Sequence, residues 1–176
     1  MKRIDCFIPA IDHYQVKATL SHLKSLQIIN RIFLLSADKH ADFSDTGLQV
    51  IKVSNLTSSA TVAGIAQAAT ADYTLIYTKY TTLVPGYFAL ERFVQLGDDT
   101  GAGMLYADHY QIIGGQRRKM PLIQCQEGAL RDDFNFGSVL CYNTSYLKKA
   151  VVQTTGDYPY AGMYNLRLTV SRMASL

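Results

Sequence analysis

"DYTLIYTKYTTLVPG", residues 72–86, reads as a buried strand that empties into a polar turn before Pro85-Gly86 opens a helix. The run "YTLIYT" (73–78) is apolar and β-forming throughout, as a strand covered on both faces should be. In an open α/β sheet ligands bind beyond the C-terminal ends of the strands. Chemistry is therefore expected at the tripeptide Thr78-Lys79-Tyr80. A carboxylate pair there would suit a metal-bound diphosphate, but the chain carries a hydroxyl, an ammonium and a phenol.

Outward from this stretch, strand and helix signals alternate. Ile4 to Ile8 is a short apolar run ended by Pro9, and Val16, Leu20, Leu23 and Leu26 then recur at helical spacing. "RIFLLS" (31–36) and "LQVIKV" (48–53) predict two further strands, and the alanine-rich Ser58–Ala69 a helix that packs closely on a sheet. A helix over Tyr87–Leu96 follows the opening stretch. Strands separated by helices imply a parallel sheet with right-handed crossovers. Beyond residue 100 the pattern changes. "GMLYADHYQII" (103–113), Gly114-Gly115 and "QRRKMPLIQ" (116–124) predict an antiparallel excursion through a tight turn. "FGSVLCY" (136–142) is a further strand, Ser145–Val152 a short helix, and Tyr164–Arg172 a last helical pattern. That pattern reaches Leu176 without a terminator, which reads as a natural sequence that continues.

The chain of 176 residues is long enough for one domain, 1–176, with a sizeable core. Apolar residues at 48% and charged residues at 18% exclude a disordered chain. The net charge of +3 is mild, and the one dense basic cluster, Arg117-Arg118-Lys119, reads as a solvated hairpin tip rather than a nucleic-acid patch. No apolar run approaches the ~18 residues of a membrane span, and the start lacks the apolar region of a signal peptide. Cys6, Cys125 and Cys141 fit neither a disulfide framework nor a zinc site and read as buried thiols of a reducing cytoplasm. Two glycosylation-like triplets, Asn55-Leu56-Thr57 and Asn143-Thr144-Ser145, are coincidences if the chain is not secreted.

In ordered sequence, these features resemble the N-terminal part of a family 2 glycosyltransferase of the GT-A fold. "CFIPAIDHY" (6–14) resembles the opening strand and nucleotide-binding turn, and "IFLLSAD" (32–38) the second strand with its base-reading acidic residue. Residues 60–94 resemble the helix that runs into the metal-binding strand. "LYADHY" (105–110) and "GSVLCYNTSYLKKAV" (137–151) resemble the later sheet behind the acceptor site, and "YNLRLTVSR" (164–172) the helix after the catalytic acid pair. The resemblance implies an α/β GT-A domain with a mostly parallel central sheet, helices on both faces and a small antiparallel excursion. It implies an inverting transfer of a sugar from a UDP-sugar to a saccharide or lipid-linked acceptor, in the cytoplasm, at most peripherally at the inner membrane face.

The departures from the family bear on mechanism. Its Asp-x-Asp, whose carboxylates hold a divalent manganese or magnesium ion, falls at Thr78-Lys79-Tyr80, so no metal site is expected here. Its acid pair falls at Gly162-Met163, and of its Arg-Asn-x-Gly only Gly64 survives.

The nucleotide-sugar site implied by the resemblance comprises Pro9, Asp12, Asp38, Thr78, Lys79 and Tyr80. Each has an ordinary reading beside it. Asp12 caps the first helix as readily as it touches a nucleotide. Asp38 either accepts a uracil N3–H or is a solvated loop or helix-capping aspartate. Lys79 is an exposed strand-end lysine or a cation that replaces part of the missing metal charge. Asp108, Asp132 and Asp133 are the candidates for a general base, against the alternative of solvated loop carboxylates. Tyr158, Tyr160 and Tyr164 offer flat surfaces near the acceptor side, or simply pack. Two other readings stay open: a non-catalytic GT-A-like binding or scaffold module, and a nucleotidyltransferase. The latter lacks the expected glycine-rich loop after the first strand.

Overall fold

The computed structural model describes residues 2–38, 40–126 and 134–176. Asp132 and Asp133 lie outside the described residues. Among the described residues eight strands and five α-helices follow in the order β1 (Ile4–Pro9), α1 (His13–Leu23), β2 (Ile29–Ser36), β3 (Gln49–Lys52), α2 (Ser59–Ala68), β4 (Tyr73–Tyr77), α3 (Ala89–Thr100), β5 (Met104–Leu105), β6 (His109–Ile113), β7 (Gln116–Met120), β8 (Val139–Asn143), α4 (Thr144–Gln153) and α5 (Gly162–Ser171).

Six strands form a mixed sheet in the order β3-β2-β1-β4-β8-β5. The first four are parallel, and β8 runs antiparallel to both of its neighbours. The chain builds outward from β1 through β2 to β3 and then crosses back to β4. Helices therefore cover both faces. On one face α1 and α3 bring Val16, Leu20, Leu23, Leu90 and Phe93 against Ile4, Cys6, Ile8 and Leu75. On the other, α2, α4 and α5 bring Val62, Ile65, Leu147, Met163 and Leu166 against Phe7, Phe33, Leu35, Ile76 and Tyr142. Every residue of β1 and β4 is buried, which is why both read as unbroken apolar runs.

The one acidic residue of β1, Asp5, is fully buried. Its Oδ2 accepts from the backbone N–H groups of Thr70 (2.7 Å) and Ala71 (2.9 Å) and from Arg31 (3.3 Å), and its Oδ1 from Asn30 Nδ2 (2.9 Å). Burial alone would raise its pKa, but these donors together hold it below the usual carboxylate range. β2 starts at Ile29 rather than at residue 31: Ile29 pairs with Ile4 of β1, and Asn30 reaches Asp5.

Three helices are capped by short polar side chains. Asp12 accepts from Gln15 N (2.7 Å), Ser58 from Thr61 N (3.2 Å) and Asn143 from Ser145 N (3.0 Å). Helix α3 starts at Ala89 and ends at Thr100, not at 87 and 96. It has no side-chain cap, and its entry residue Phe88 stands at a φ of 53°.

The antiparallel excursion divides in two. β5 joins the main sheet beside β8, whereas β6 and β7 form a separate two-stranded ribbon. Its turn is Gly114-Gly115, with φ of 57° and 77°, as a primed two-residue hairpin requires. Arg117, Arg118 and Lys119 lie along β7 rather than at the tip. Cys6 and Cys141 are buried, but Cys125 is only partly so.

Candidate functional site

The strand ends set the site. Beyond the C-termini of β2, β3 and β4 lies a cleft of about 550 Å³, bounded by Ala37, by Ser54–Thr57, by Thr78 and Tyr80, and by Pro159 and Tyr160. The loop Ser54–Thr57 is self-supporting. Asn55 Oδ1 accepts from the backbone N–H and the hydroxyl of Thr57 (both 3.0 Å), and Asn55 O accepts from the hydroxyls of Ser58 and Thr61. Ser54, Asn55, Leu56 and Thr57 all line the cleft. Helix α2 begins directly after this loop, its first N–H groups held by Tyr158 O and by the Ser58 cap.

The opposite wall is clamped to α2. Tyr158 O accepts from Ser59 N (2.9 Å), Tyr158 N donates to Ser59 Oγ (3.1 Å), and Met163 N donates to Thr57 O (3.1 Å). The clamp brings Gly162 so close that an added Cβ would lie 2.2 Å from Ser59 N and 2.4 Å from Ser58 C. The family's acid pair would fall at this glycine. A carboxylate side chain cannot stand there without moving α5 away from α2.

The six expected nucleotide residues are not all gathered at this cleft. Thr78 and Tyr80 line it. Thr78 continues the sheet, its N–H bonding to Ser138 O at 2.9 Å. Burial raises the pKa of the Tyr80 phenol, which keeps it a neutral donor. Lys79, between them, is exposed and has no protein partner among the described residues. Asp38 adjoins Ala37 but is exposed, and its Oδ1 accepts from His40 N (2.8 Å). Pro9 is buried at the end of β1. Asp12 spends one oxygen on its helix cap. Between β1 and β4 the crevice is bridged by the buried Gln15, whose Nε2 donates to Thr81 O (3.2 Å). Pro9 and Asp12 are not among the residues that line the cleft.

Asp108 stands at the base of the β6–β7 ribbon. Its Oδ1 accepts from Leu122 N (2.7 Å), and its Oδ2 lies 3.8 Å from Lys119 Nζ. Of the three tyrosines, Tyr160 reaches the cleft, Tyr158 packs over Gly156, and Tyr164 is half-buried on α5. Sequence reasoning passed over Ser54, Asn55 and Thr57. The signal was the triplet Asn55-Leu56-Thr57, a self-bonded loop between strand and helix rather than a sugar-attachment motif.

Among the described residues no group of three or more His, Cys, Asp or Glu side chains comes together. The residues at 78–80 do not fit a divalent ion: a hydroxyl facing a carbonyl, an exposed ammonium and a neutral phenol offer no charged oxygen. A second hollow of about 360 Å³ lies between α2, α4 and α5, lined by Ser59, Val62, Val151, Asp157, Gly162 and Leu166.

No protein-family model matches the chain, and no curated protein matches it. Solved structures do. A crystal structure of S. aureus TarS, residues 1–349, has a TM-score of 0.61 at 10% identity, covering 84% of this chain and 48% of that one. The 2-C-methyl-D-erythritol 4-phosphate cytidylyltransferase of Thermus thermophilus scores 0.58 at 13% identity, covering 99% and 86%. A CMP:2-keto-3-deoxy-manno-octonic acid synthetase complexed with CTP scores 0.60 at 9% identity, covering 97% and 86%. The chain thus spans about half the length of the TarS fragment and most of the other two. These likenesses show the fold: a mixed-sheet α/β domain of the kind found in GT-A-like and nucleotidyltransferase-like structures. No helix among the described residues is long and apolar enough to cross a membrane.

Proposed function

We propose that this chain binds a nucleoside-diphosphate sugar in the cleft beyond β2, β3 and β4 and transfers the sugar to an acceptor hydroxyl with inversion. One observation carries the reading: in this fold class a cleft with neutral hydrogen-bond donors opens at the C-terminal ends of the parallel strands. The base and ribose would lie between Ala37 and the Ser54–Thr57 loop, with Asp38 at the edge. The diphosphate would lie toward Thr78 and Tyr80, within reach of the Lys79 ammonium. In the reaction the acceptor oxygen attacks the anomeric carbon as the bond to the diphosphate breaks. The proton passes to a carboxylate, for which Asp108, Asp132 and Asp133 are the candidates. Positive charge and hydrogen-bond donors stabilise the departing diphosphate. The favoured donor is a UDP-sugar, and the acceptor a saccharide or a lipid-linked sugar.

A second reading, a binding module without catalysis, is favoured by the cleft lining, which contains no carboxylate among the described residues. Calorimetry with UDP, CDP and CTP, each with and without manganese, tests the donor site that both readings share, and release of UDP from a UDP-sugar in the presence of acceptor separates them. Transfer predicts UDP binding that does not need manganese and that Lys79→Ala weakens by about 1–3 kcal/mol, as loss of a charge-assisted bond should. Tyr80→Ala should weaken it as well. A preference for CTP would favour nucleotidyl transfer, and no binding of any nucleotide would remove the donor site.

A further inference from the structure

The β6–β7 ribbon has no place in the nucleotide cleft, and its construction asks for another partner. It is a separate two-stranded sheet, exposed along nearly its whole length. Such a ribbon is marginal in water without a surface to cover it. Its base is firmly mounted: Asp108 holds Leu122 N, and Gly137 lies so near His109 and Leu122 that an added Cβ would meet them at 2.9–3.5 Å. Its outer half is left bare. The register pairs Tyr110 with Lys119 and Ile112 with Arg117, placing these four side chains on one face. Arg117 stacks on Tyr110 at 3.7 Å. At the outer end Ile112 is 76% exposed and Ile113 49%, next to the glycine turn. Immediately behind come Arg117, Arg118 and Lys119. From residue 109 to 126 there is no acidic residue at all. Neither arginine forms an ion pair among the described residues, and Lys119 has only the distant Asp108.

We infer that the ribbon is a docking finger for an anionic phospholipid surface, with its isoleucine tip entering the interface and its cationic band meeting the headgroups. The chemistry selects this partner over two others. A nucleic acid would satisfy the cations and the tyrosine, but it offers nothing to branched aliphatic side chains at the outermost point. A second copy docked ribbon to ribbon along β7 would set cation against cation. A bilayer with anionic headgroups accepts both halves, apolar tip and basic band. The inference is independent of the donor-site reading, since it uses no residue of the cleft.

Co-sedimentation with vesicles of phosphatidylcholine, with and without phosphatidylglycerol, tests it. The protein should partition onto phosphatidylglycerol-containing vesicles, stay in solution with phosphatidylcholine alone, and be released by salt. Replacing each of Arg117, Arg118 and Lys119 by Gln should cost about five-fold per cation, and the triple change about 100-fold. Ile112→Ser with Ile113→Ser should reduce partitioning by about ten-fold or more. These side chains are exposed, so unchanged thermal melting should confirm that the variants fold. Sedimentation velocity and single-stranded RNA binding complete the experiment. Equal partitioning on both vesicle types, or variants that bind as the parent does, would overturn the inference. So would a ribbon-dependent dimer, or RNA binding in the absence of vesicle binding.

Discussion

Replacing Asp5 perturbs the best-connected polar group of the core. Its carboxylate collects two backbone N–H groups of the α2–β4 connection, the Arg31 guanidinium and the Asn30 amide. Asp5→Ala leaves both N–H groups and the guanidinium without their acceptor. Breaking a buried charge pair costs about 3–5 kcal/mol. Thr70 is exposed and Arg31 partly so, and water can recover some of their bonding. The expected loss is therefore at the lower end, about 3 kcal/mol, and about 2 kcal/mol for Asp5→Asn, which keeps the shape but turns an amide toward other donors. Against a typical total of about 5–15 kcal/mol, either is readily measured by urea unfolding followed by circular dichroism. The pH dependence supplies the sharper test. The folded-state pKa of Asp5 is depressed, so its contribution is complete above the unfolded-state value, about 4, and fades as pH falls through the folded value. Asp42 and Asp98 are depressed too, but they remain in both proteins and cancel from the difference. The gap between parent and Asp5→Asn should therefore narrow on acidification below pH ~4. A gap of under about 0.5 kcal/mol at neutral pH, or one unchanged in acid, would show that the Asp5 network is not what holds β1 to β2 and the α2–β4 connection.

Two further expectations concern packing and thiols. Gly162→Ala should destabilise the protein by about 1–3 kcal/mol, and Gly162→Asp by at least as much, because the new side chain meets the backbone of Ser58 and Ser59; thermal melting checks it, and an unchanged melting temperature would mean that α5 and α2 are not clamped. Burial pushes the Cys141 thiol up to about 12 and the Cys6 thiol higher still, so in the native protein an aromatic disulfide reagent at pH 8 should modify Cys125 alone, with the other two reacting only after unfolding. Peptide mapping of the labelled chain decides this.

What the sequence revealed and what it hid follow a physical division. Strands buried on both faces show themselves as apolar runs, so β1, β2 and β4 were legible nearly to the residue, and the hairpin was legible from Gly114-Gly115. The sheet's outer members were less so. β5 is two residues long, too short for any periodicity, and whether it would pair with β8 or with the ribbon depends on contacts remote in sequence. The cleft was half legible for the same reason. Thr78 and Tyr80 followed from the end of a clear strand, whereas Pro159 and Tyr160 arrive through a loop whose position is fixed by the close fit of Gly162 on α2. Nothing in a linear reading distinguishes that glycine from one in an ordinary turn. Arg31, which appeared to begin an apolar strand, instead reaches Asp5, Ala68 O and Thr70. Side-chain networks of this kind carry no spacing rule.

The clamp between residues 57–59 and 158–163 also fixes an order of events during synthesis and folding. Closing a loop of about 100 residues costs more entropy than the shorter-range pairings of the sheet, so the clamp is expected to form after them. A nascent chain released at Gln153 would hold every strand of that sheet and still lack one side of the cleft beyond β2, β3 and β4. Ligand affinity should therefore develop late and all at once, as a mark of a finished fold, whereas protection of β1 and β4 should precede it.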